Sequence, residues 1–358
     1  MTTTTRELAY FQAINEAIQQ EMERDSTIIV MGEDVAGAAG RAHLGFIDAW
    51  GGPWRATKGL IQRFGPQRVL DTPISEAGFV GTAVGAAMTG LRPIVEVMYS
   101  DFFGVCMDQV INQAAKMLYM TGGQIPMPMV IRTAIGTRAD PKQLNGGGAA
   151  AQHSQVLYSH LVHMPGLKCV APSNAYNAKG LMISAIRDDD PVVIFDHKFF
   201  LSDRRPVPEE PYTIPIGVAE VARPGRDVTL VGISRMTQMC LQAAQELEAY
   251  GVDAEVVDLL SLSPLDEATI LASLRKTHRL VVVDEDSPRC SVARDVAAIA
   301  ADKAFDYLDA PIKTVTPPHT PVPFSAVLEG AYVPDAKKVV ATVADMLGLA
   351  LERQESRG

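Results

Sequence analysis

The residue that suggests chemistry most directly is Glu76, which lies in the stretch Arg68-Val-Leu-Asp-Thr-Pro-Ile-Ser-Glu-Ala-Gly-Phe79. The first apolar residues of this stretch are typical of the end of a buried strand, and the apolar run after Glu76 predicts a helix. Pro73 suits the first turn of that helix, with Thr72 as its N-cap. An acid at such an apolar junction is costly unless a polar group meets it. A heteroaromatic ring nitrogen of a bound cofactor is one such group.

A second candidate is His153, which follows the glycine-rich stretch Asn145-Gly-Gly-Gly-Ala-Ala-Ala151. Three consecutive glycines cannot hold a regular element firmly, so residues 137–151 are predicted to form a mobile loop. A histidine at the root of such a loop is well placed for acid–base chemistry on a substrate that the loop encloses. The alternative is a polar loop histidine without a role.

Three further positions are weaker candidates. Glu33 follows a predicted strand, so it lies either at the carboxyl edge of a sheet, where α/β proteins bind ligands, or in a solvated turn. Phe102 precedes a predicted helix, so it is either a functional residue or a residue of the packed core. Residues 188–190 are three acids after a helix, where the helix dipole disfavours negative charge, so they indicate either a cation or a solvated turn.

The order of the elements that must position these residues predicts an α/β fold. A capping box at Thr4 and Glu7 predicts an initial helix that continues to Met22. Helical patterns also occupy residues 108–119 and 175–187. Buried strands are predicted between the helices, and this alternation favours a largely parallel sheet covered on both faces. The predicted strands are residues 27–31, 93–98, 129–132, 168–171 and 192–195.

The proline- and charge-rich segment 202–215 is predicted to be a linker between two domains, residues 1–201 and residues 216–358. The alternation resumes in the second domain. Its predicted strands are residues 228–232, 254–259 and 280–284, and its first helix is residues 237–250.

Composition excludes several classes of function. The net charge of −10 argues against a nucleic-acid partner and an anionic membrane surface, because phosphate binding needs basic clusters. The four cysteines form no CxxC pair, which favours a reducing compartment. No apolar stretch approaches the ~20 residues of a membrane span and no signal core begins the sequence, so we expect no membrane insertion and a cytoplasmic location. The GxGxxG, P-loop, HExxH and GxSxG motifs of other enzyme classes are absent.

Taken together, the motifs resemble the β subunit of the thiamine-diphosphate-dependent component of 2-oxoacid dehydrogenase complexes, over nearly the whole chain. Several collinear motifs make the resemblance specific: Gly32-Glu-Asp-Val-Ala36, Asp71-Thr-Pro-Ile-Ser-Glu-Ala-Gly-Phe79, Gly85-Ala-Ala-Met-Thr-Gly-Leu-Arg-Pro93, Asp108-Gln-Val-Ile-Asn-Gln-Ala-Ala-Lys116, Ala150-Ala-Gln-His-Ser-Gln155, Pro165-Gly-Leu-Lys168 and Ala185-Ile-Arg-Asp188. The chain is most similar to the acetoin dehydrogenase branch, on Gly32-Glu-Asp-Val-Ala-Gly-Ala-Ala-Gly-Arg41, Ala49-Trp-Gly-Gly52, Thr57-Lys-Gly-Leu60 and Pro318-His-Thr-Pro-Val-Pro-Phe324.

The resemblance implies a transketolase-like pyrimidine-binding domain and a transketolase C-terminal-like domain, each with a mostly parallel sheet between helices. It implies that Glu76 binds the aminopyrimidine nitrogen of thiamine diphosphate and that Phe102 stacks on that ring. Ile74 and Glu33 fall on further cofactor-binding positions. His153 matches the histidine that manages protons on the intermediate and assists acyl transfer to a lipoyl group.

The resemblance also implies partners and ions. The magnesium-diphosphate motif, a Gly-Asp-Gly followed at a distance by Asn, is absent from the sequence, so a separate α subunit is expected to hold the diphosphate and magnesium. Two α and two β chains are the family arrangement, and the second domain is expected to help bind a lipoyl acyltransferase core. Some relatives hold a potassium ion at the positions that match Met129, Ala185, Asp188 and Asp190.

The resulting hypothesis is an enzyme subunit that cleaves the bond next to a carbonyl and passes the acyl group to lipoamide, with acetoin as the preferred substrate. Pyruvate or a branched-chain 2-oxoacid is the alternative substrate. A non-catalytic assembly subunit and a transketolase-type fragment that transfers ketol groups are the alternative functions. The segment between Gly136 and Ala149 is about ten residues longer than the family pattern, so substrate choice or access is expected to differ from that of the nearest relatives.

Overall fold

The computed structural model describes residues 6–37, 50–138, 149–201 and 203–350. Thr4 of the predicted capping box, the triple glycine and the extra residues before His153 lie outside these ranges. The chain divides into two compact units. The first unit is Met1–Gly217 with Leu260–Pro264 and Pro321–Gly330, and the second is Val218–Leu259 with Leu265–Thr320 and Ala331–Gly358. Within the described ranges, no helix combines the length and the apolar character that crossing a membrane requires.

Strands and helices alternate along the first part of the chain, as predicted. In order they are β1 (Glu7–Ala9), α1 (Tyr10–Arg24), β2 (Ile28–Gly32), α2 (Leu60–Phe64), β3 (Val69–Asp71), α3 (Glu76–Met88), β4 (Arg92–Tyr99), α4 (Phe103–Asp108), α5 (Met117–Met120), β5 (Val130–Ile135), α6 (Tyr158–Val162), β6 (Lys168–Val170), α7 (Ala175–Arg187), β7 (Val192–His197) and β8 (Arg204–Pro206). Short 3₁₀ turns follow β4 and β7, at Ser100–Phe102 and Lys198–Phe200.

The remaining elements follow the same alternation. They are β9 (Glu220–Arg223), β10 (Val228–Gly232), α8 (Arg235–Glu248), β11 (Ala254–Asp258), β12 (Ser261–Ser263), α9 (Glu267–Thr277), β13 (Leu280–Val283), α10 (Val292–Lys303), β14 (Lys313–Val315), α11 (Ala326–Tyr332) and α12 (Ala336–Leu347). The second unit contains a five-stranded sheet in the order β14-β13-β10-β11-β9, in which only β9 is antiparallel to its neighbour.

The first unit contains a seven-stranded sheet in the order β12-β6-β7-β5-β4-β2-β3. Every pair in it is parallel except β12 with β6. The central strands are buried along nearly their whole length, which explains their continuous apolar sequences. Helices α1 and α7 pack side by side on one face of this sheet and contribute much of the core. The carboxyl ends of β3, β2, β4, β5 and β7 therefore lie in a row along one edge.

The N-terminal helix begins later than predicted. Glu7–Ala9 is a strand that pairs antiparallel with β8, and α1 starts at Tyr10. The backbone N–H of Ala9 donates to the side-chain oxygen of Gln12 at 2.9 Å, so Gln12 rather than Glu7 serves the helix start. The capping-box prediction was wrong because the strand partner of Glu7 lies far along the chain. The pairing of β1 with β8 also holds residues 204–206 on the first unit. These residues belong to the segment that was predicted to be a linker.

Helix α3 also begins later than predicted, at Glu76 with Ser75 as the N-cap residue. The backbone N–H of Thr72 donates to the carbonyl oxygen of Gly32 at 3.0 Å, which continues the pairing of β3 with β2. This bond keeps Thr72 in extended backbone beside β2, so the helix does not start there. Consequently Thr72 is not the N-cap, and Glu76 is the first residue of the helix.

The helix predicted over residues 108–119 is interrupted. It consists of α4, a π-helical segment at Gln109–Ala114, and α5. The π-helical segment packs closely against α3, because a Cβ atom on Gly81 would lie only 2.9 Å from Oε1 of Gln109. Gly81 therefore allows a close approach to α3 from within the same chain. Gly78 and Gly85, on the same helix, remain exposed.

Candidate functional site

The side chains that were predicted to carry chemistry follow the carboxyl ends of neighbouring parallel strands in the first unit. Glu33 comes directly after β2, Glu76 follows β3, and Phe102 follows β4. His153 lies between β5 and α6. This edge is the usual ligand-binding position of an α/β sheet. Because these strands are adjacent, the fold brings these widely separated parts of the sequence to one edge.

Glu33 and Glu76 form a buried pair of carboxyl groups. Each residue is only 7% exposed, and their side chains are hydrogen-bonded to each other. Burial raises the pKa of Glu33, and the neighbouring charge of Glu76 raises it further. Two carboxyl groups in such contact are favoured when they share one proton, so the pair is suited to holding a proton against a bound group.

Glu76 lies in contact with Glu33 and near the thiol of Cys106. It is the first residue of α3, where the helix dipole favours a negative charge. Burial raises the pKa of the nearby Cys106 thiol to about 12, and the charge of Glu76 contributes to the increase. Cys106 is therefore a packing residue rather than a nucleophile. Ile74, the other predicted cofactor residue on this connection, is 84% exposed, so its side chain is available to a ligand or partner.

His153 lies in a cluster of aromatic rings. Its ring meets that of Tyr99 edge to face at 4.6 Å between centroids and that of Phe102 at 5.2 Å. Tyr99 and Phe102 are also in contact, at 5.4 Å, and Trp54 packs on Tyr99 at 5.3 Å. The indole N–H of Trp54 donates to the carbonyl oxygen of Met98, which fixes this ring to the end of β4. The structure therefore brings the predicted Phe102 and His153 together.

The sequence reasoning missed Tyr99 and Trp54. Tyr99 is the last residue of β4, three residues before Phe102, and position at a strand end was the available signal. Trp54 lies in the segment between β2 and α2 and carried no periodic signal. Its contact with Tyr99 depends on tertiary packing. The aromatic cluster surrounds His153 with apolar rings, so water has limited access to that side of the imidazole.

Polar groups hold the residues that follow His153. The side-chain amide of Gln155 donates to Oδ1 of Asp101 at 2.7 Å, and the hydroxyl of Ser100 donates to the carbonyl oxygen of Gln155 at 3.0 Å. Burial raises the pKa of Asp101, and the hydrogen bond from Gln155 opposes that shift. The 3₁₀ turn after β4 thus carries Phe102 and also secures the segment that carries His153.

The positions predicted to bind potassium have protein partners. The carbonyl oxygen of Met129 accepts the N–H of Val192 at 3.0 Å, and that of Ala185 accepts the N–H of Asp188 at 3.3 Å. The ammonium group of Lys168 lies 2.8 Å from the carboxylate of Asp188 and 3.0 Å from that of Asp190. These carboxylates are therefore neutralised by a lysine.

Arg92 occupies further acceptors at the end of α7. Its guanidinium donates to the carbonyl oxygen of Ile186 at 2.9 Å and to that of Asp188. Within the described ranges, no group of three or more His, Cys, Asp or Glu side chains is arranged to hold a metal ion. A cation at this position would have to use backbone carbonyl oxygens rather than a carboxylate cage.

Two protein-family models match the chain, one over its N-terminal part and one over its C-terminal part. Residues 6–201 match the pyrimidine-binding domain of transketolase, and residues 217–339 match the transketolase C-terminal domain. Among solved structures, a chain described as a split-gene transketolase, an inactive β4 tetramer, superposes with a TM-score of 0.72. The match covers 96% of this chain and 99% of that chain at 22% identity, so it establishes the fold.

Curated relatives cover almost the full length. The β subunit of an acetoin:2,6-dichlorophenolindophenol oxidoreductase from Bacillus subtilis is 52% identical over 96% of this chain and 98% of its own length. The corresponding subunit from Cupriavidus necator is 51% identical over 94% and 96%. A mitochondrial pyruvate dehydrogenase E1 subunit β-1 from Arabidopsis thaliana is 41% identical over 94% and 88%. The chain therefore belongs to the thiamine-diphosphate-dependent dehydrogenase family, as a β subunit built from the two transketolase-type domains.

Proposed function

We propose that this chain is the β subunit of an oxidoreductase that cleaves acetoin next to its carbonyl group and passes the resulting acyl group to lipoamide. The observation that carries the proposal is the buried carboxyl pair of Glu33 and Glu76, beside the aromatic cluster that contains His153. The choice of acetoin is supported by two relatives above 50% identity, each of which is named for oxidation of acetoin with a dye acceptor.

The carboxyl pair fits thiamine diphosphate. Glu76 would bind the ring nitrogen of the aminopyrimidine, where a shared proton is needed, and Glu33 would hold the protonated state of the pair. Phe102 would stack on the pyrimidine, and the exposed Ile74 would contact the cofactor. Thiamine diphosphate supplies a carbon nucleophile and an electron sink when bound. The side chains of this chain would therefore bind and orient that group rather than react covalently.

His153 would act on protons at the substrate side. Its ring is held by the rings of Tyr99 and Phe102, so its position is defined before substrate arrives. We propose that it moves a proton at the substrate oxygen and assists transfer of the acyl group to the lipoyl sulfur. On this assignment, His153→Ala impairs transfer to lipoamide more than dye reduction, because the dye removes electrons without that transfer.

The site is proposed to be completed by an α subunit that holds the diphosphate and magnesium, in an assembly of two α and two β chains. The absence of a Gly-Asp-Gly motif from the sequence supports a separate diphosphate-binding chain. The exposed glycines of α3, together with the exposed Met88, provide a surface without bulky groups for contact with a partner. Binding of the lipoyl acyltransferase core by the second unit and the cytoplasmic location remain predictions.

Potassium is proposed only as a carbonyl-bound ion near Met129 and Ala185. Each carbonyl oxygen there already accepts one N–H and retains a second lone pair. The measurement is the melting temperature of the assembled protein in potassium chloride and in sodium chloride at equal ionic strength. A higher melting temperature in potassium would support the ion, and equal values would remove it from the proposal.

The decisive experiment is to co-express the chain with candidate α subunits and measure dye reduction with acetoin, pyruvate and branched-chain 2-oxoacids. Glu76→Gln keeps the shape of the side chain and is expected to lower turnover at least ~100-fold, as loss of an acid–base group does. Glu267→Gln is the matched control, because Glu267 is also the first residue of a helix but lies in the second unit.

Each outcome separates the alternatives. Turnover with acetoin alone would support the proposed substrate. Turnover with a 2-oxoacid would retain the site but assign the chain to the pyruvate or branched-chain group, and the pyruvate dehydrogenase relatives make this the second candidate. Wild-type turnover in Glu76→Gln, within an assembled complex, would instead indicate a non-catalytic assembly subunit.

A further inference from the structure

Lys198 is a buried lysine next to the proposed site that the catalytic scheme does not use. It is the first residue of the 3₁₀ turn after β7 and is only 4% exposed. Its ammonium group donates to the carbonyl oxygen of His153 and to the hydroxyl of Ser154 at 3.2 Å. The same group lies 5.4 Å from the centroid of the Tyr99 ring, in cation–π contact.

These contacts connect Lys198 to two of the supports of His153. One support is the backbone of the residue itself, and the other is the ring of Tyr99, whose centroid lies 4.6 Å from that of the imidazole. Burying an ammonium group is costly unless it is well bonded. Because the acceptors belong to the His153 segment, displacement of that segment would leave the charge poorly solvated. Lys198 therefore resists movement of His153.

The backbone before His153 requires such support. Ala150 adopts a positive φ of 57°, which is unfavourable for a residue with a Cβ atom. The N–H of His153 donates to the carbonyl oxygen of Ala150 at 3.3 Å, so the strained residue closes the turn that carries the histidine. Strained backbone persists only where surrounding contacts hold it. The bonds from Lys198 and the pairing of Gln155 with Asp101 are among the contacts that do so here.

His197, the residue before Lys198, contacts the start of the connection between β5 and α6. Gly136, directly after β5, has φ of 78°, and a Cβ atom there would lie 2.0 Å from Nε2 of His197. The N–H of Gly136 also donates to the carbonyl oxygen of Gln155 at 3.4 Å. The end of β7 thus contacts both described ends of the connection between β5 and α6, through His197 at one end and Lys198 at the other.

We propose that Lys198 is a positioning residue for His153, a role that rests on the proposed function of that histidine. Its ammonium group fixes the His153 carbonyl and the Tyr99 ring, and thereby aligns the imidazole for acyl transfer to lipoamide. Removal of the ammonium group is expected to reproduce the pattern of His153→Ala, with lipoamide-dependent turnover lost more strongly than dye reduction. A purely structural lysine would lower both rates by the same factor.

The test is a double-mutant cycle in the assembled complex, with Lys198→Met and His153→Ala alone and together. Lys198→Met is expected to lower lipoamide-dependent turnover about 10- to 100-fold, as a small misplacement of a catalytic group does. In the His153→Ala background the same change should add less than about 3-fold, because the two residues act as one unit. Lys198→Gln, which retains a donor, should fall between Lys198→Met and the wild type.

The matched control is Lys179→Met. Lys179 is also buried in the first unit, and it bonds to Glu16 and to the carbonyl oxygens of Pro208 and Glu209, away from the proposed site. Any loss in this variant should be equal in the two assays and equal in both backgrounds. Amide hydrogen exchange provides a readout independent of turnover. Exchange within residues 150–157 should accelerate in Lys198→Met and stay unchanged in Lys179→Met.

The outcomes separate this proposal from the proposed function. Wild-type transfer in His153→Ala would overturn the role of the histidine itself. A large loss in His153→Ala, combined with independent, multiplicative loss from Lys198→Met, would leave that role intact and overturn the positioning role. If Lys198→Met does not assemble, Lys198→Gln carries the same cycle. Wild-type exchange over residues 150–157 in that variant would also contradict the proposal.

Discussion

The buried ion network beneath the site gives a prediction whose size follows from the structure. Arg132, on β5, lies 2.5 Å through Nε from Oδ2 of Asp196 on β7 and pairs through Nη1 with Glu96 on β4. The hydroxyl of Tyr10 donates to Oδ1 of Asp196 at 2.8 Å. The three charged side chains are at most 4% exposed. This network joins the three strands that precede Phe102, His153 and Lys198.

Arg132→Met removes the cation and leaves two carboxyl groups buried together. Breaking a buried pair in this way costs about 3–5 kcal/mol of the free energy of unfolding. For a unit of this size the melting temperature should fall by roughly 6–20 °C. Arg187→Met is the matched control. It pairs with the buried Glu21, which keeps a second partner in Arg24 at 2.7 Å, so its loss should stay below about 1 kcal/mol.

The stability that Arg132→Met loses should depend on pH, and the pKa shifts of the two carboxyl groups set the direction. Burial raises the pKa of Glu96 and of Asp196, and the charge of Arg132 opposes the shift. A carboxyl group with a raised pKa in the folded state binds more protons folded than unfolded, so stability falls as pH rises from its unfolded value of about 4 through its folded value. Removing Arg132 strengthens this effect.

Urea unfolding of the wild type and Arg132→Met at pH 5 and pH 8 measures that dependence. The difference between the two proteins should be larger at pH 8. Adding Glu96→Gln and Asp196→Asn to the variant should recover part of the loss, because the uncompensated charges are gone. A loss below about 1 kcal/mol, or one that is equal at both pH values, would refute this account of the network.

Two further changes probe the site. Glu33→Gln removes a group whose pKa is raised by burial and by Glu76, so the variant should gain stability relative to the wild type at pH 8 and less at pH 5, measured by urea unfolding, while dye reduction falls. Gly136→Ala should abolish dye reduction and destabilise the chain by more than about 2 kcal/mol, because the new Cβ atom would overlap His197. Gly59→Ala, at φ of 80° with open space around it, should cost only about 1 kcal/mol, and urea unfolding measures both glycine variants.

The regular elements of the fold were largely predictable from the sequence. Continuous apolar runs identified β2, β4, β5, β6 and β7, because strands buried on both faces leave no polar alternation. The start of α3 was predicted three residues early, since a proline at the first turn is common and the pairing of Thr72 with Gly32 is not visible locally. β1 was missed for a related reason. Its partner, β8, lies at the other end of the first unit's sequence.

The site was predictable in part, and mainly through resemblance. An acid at an apolar junction indicated Glu76 on physical grounds, and the collinear family motifs indicated Glu33, Phe102 and His153. Local patterns could not show that Glu33 and Glu76 are in contact, because that contact depends on the pairing of β2 with β3. Nor could they identify Lys198, whose role depends on where the His153 carbonyl lies in space.

The two halves of the site differ in how this chain holds them. His153 is secured by bonds within the chain, through Lys198 and the turn after β4, so its position does not require a ligand. The pair of Glu33 and Glu76 is instead held in contact at the cost of desolvation and mutual repulsion. A bound group that accepts a hydrogen bond from the shared proton would relieve that cost, and a ligand that binds only the folded state stabilises it. Cofactor and α subunit should therefore raise the melting temperature through the acid pair, and this increase should be smaller in Glu33→Gln.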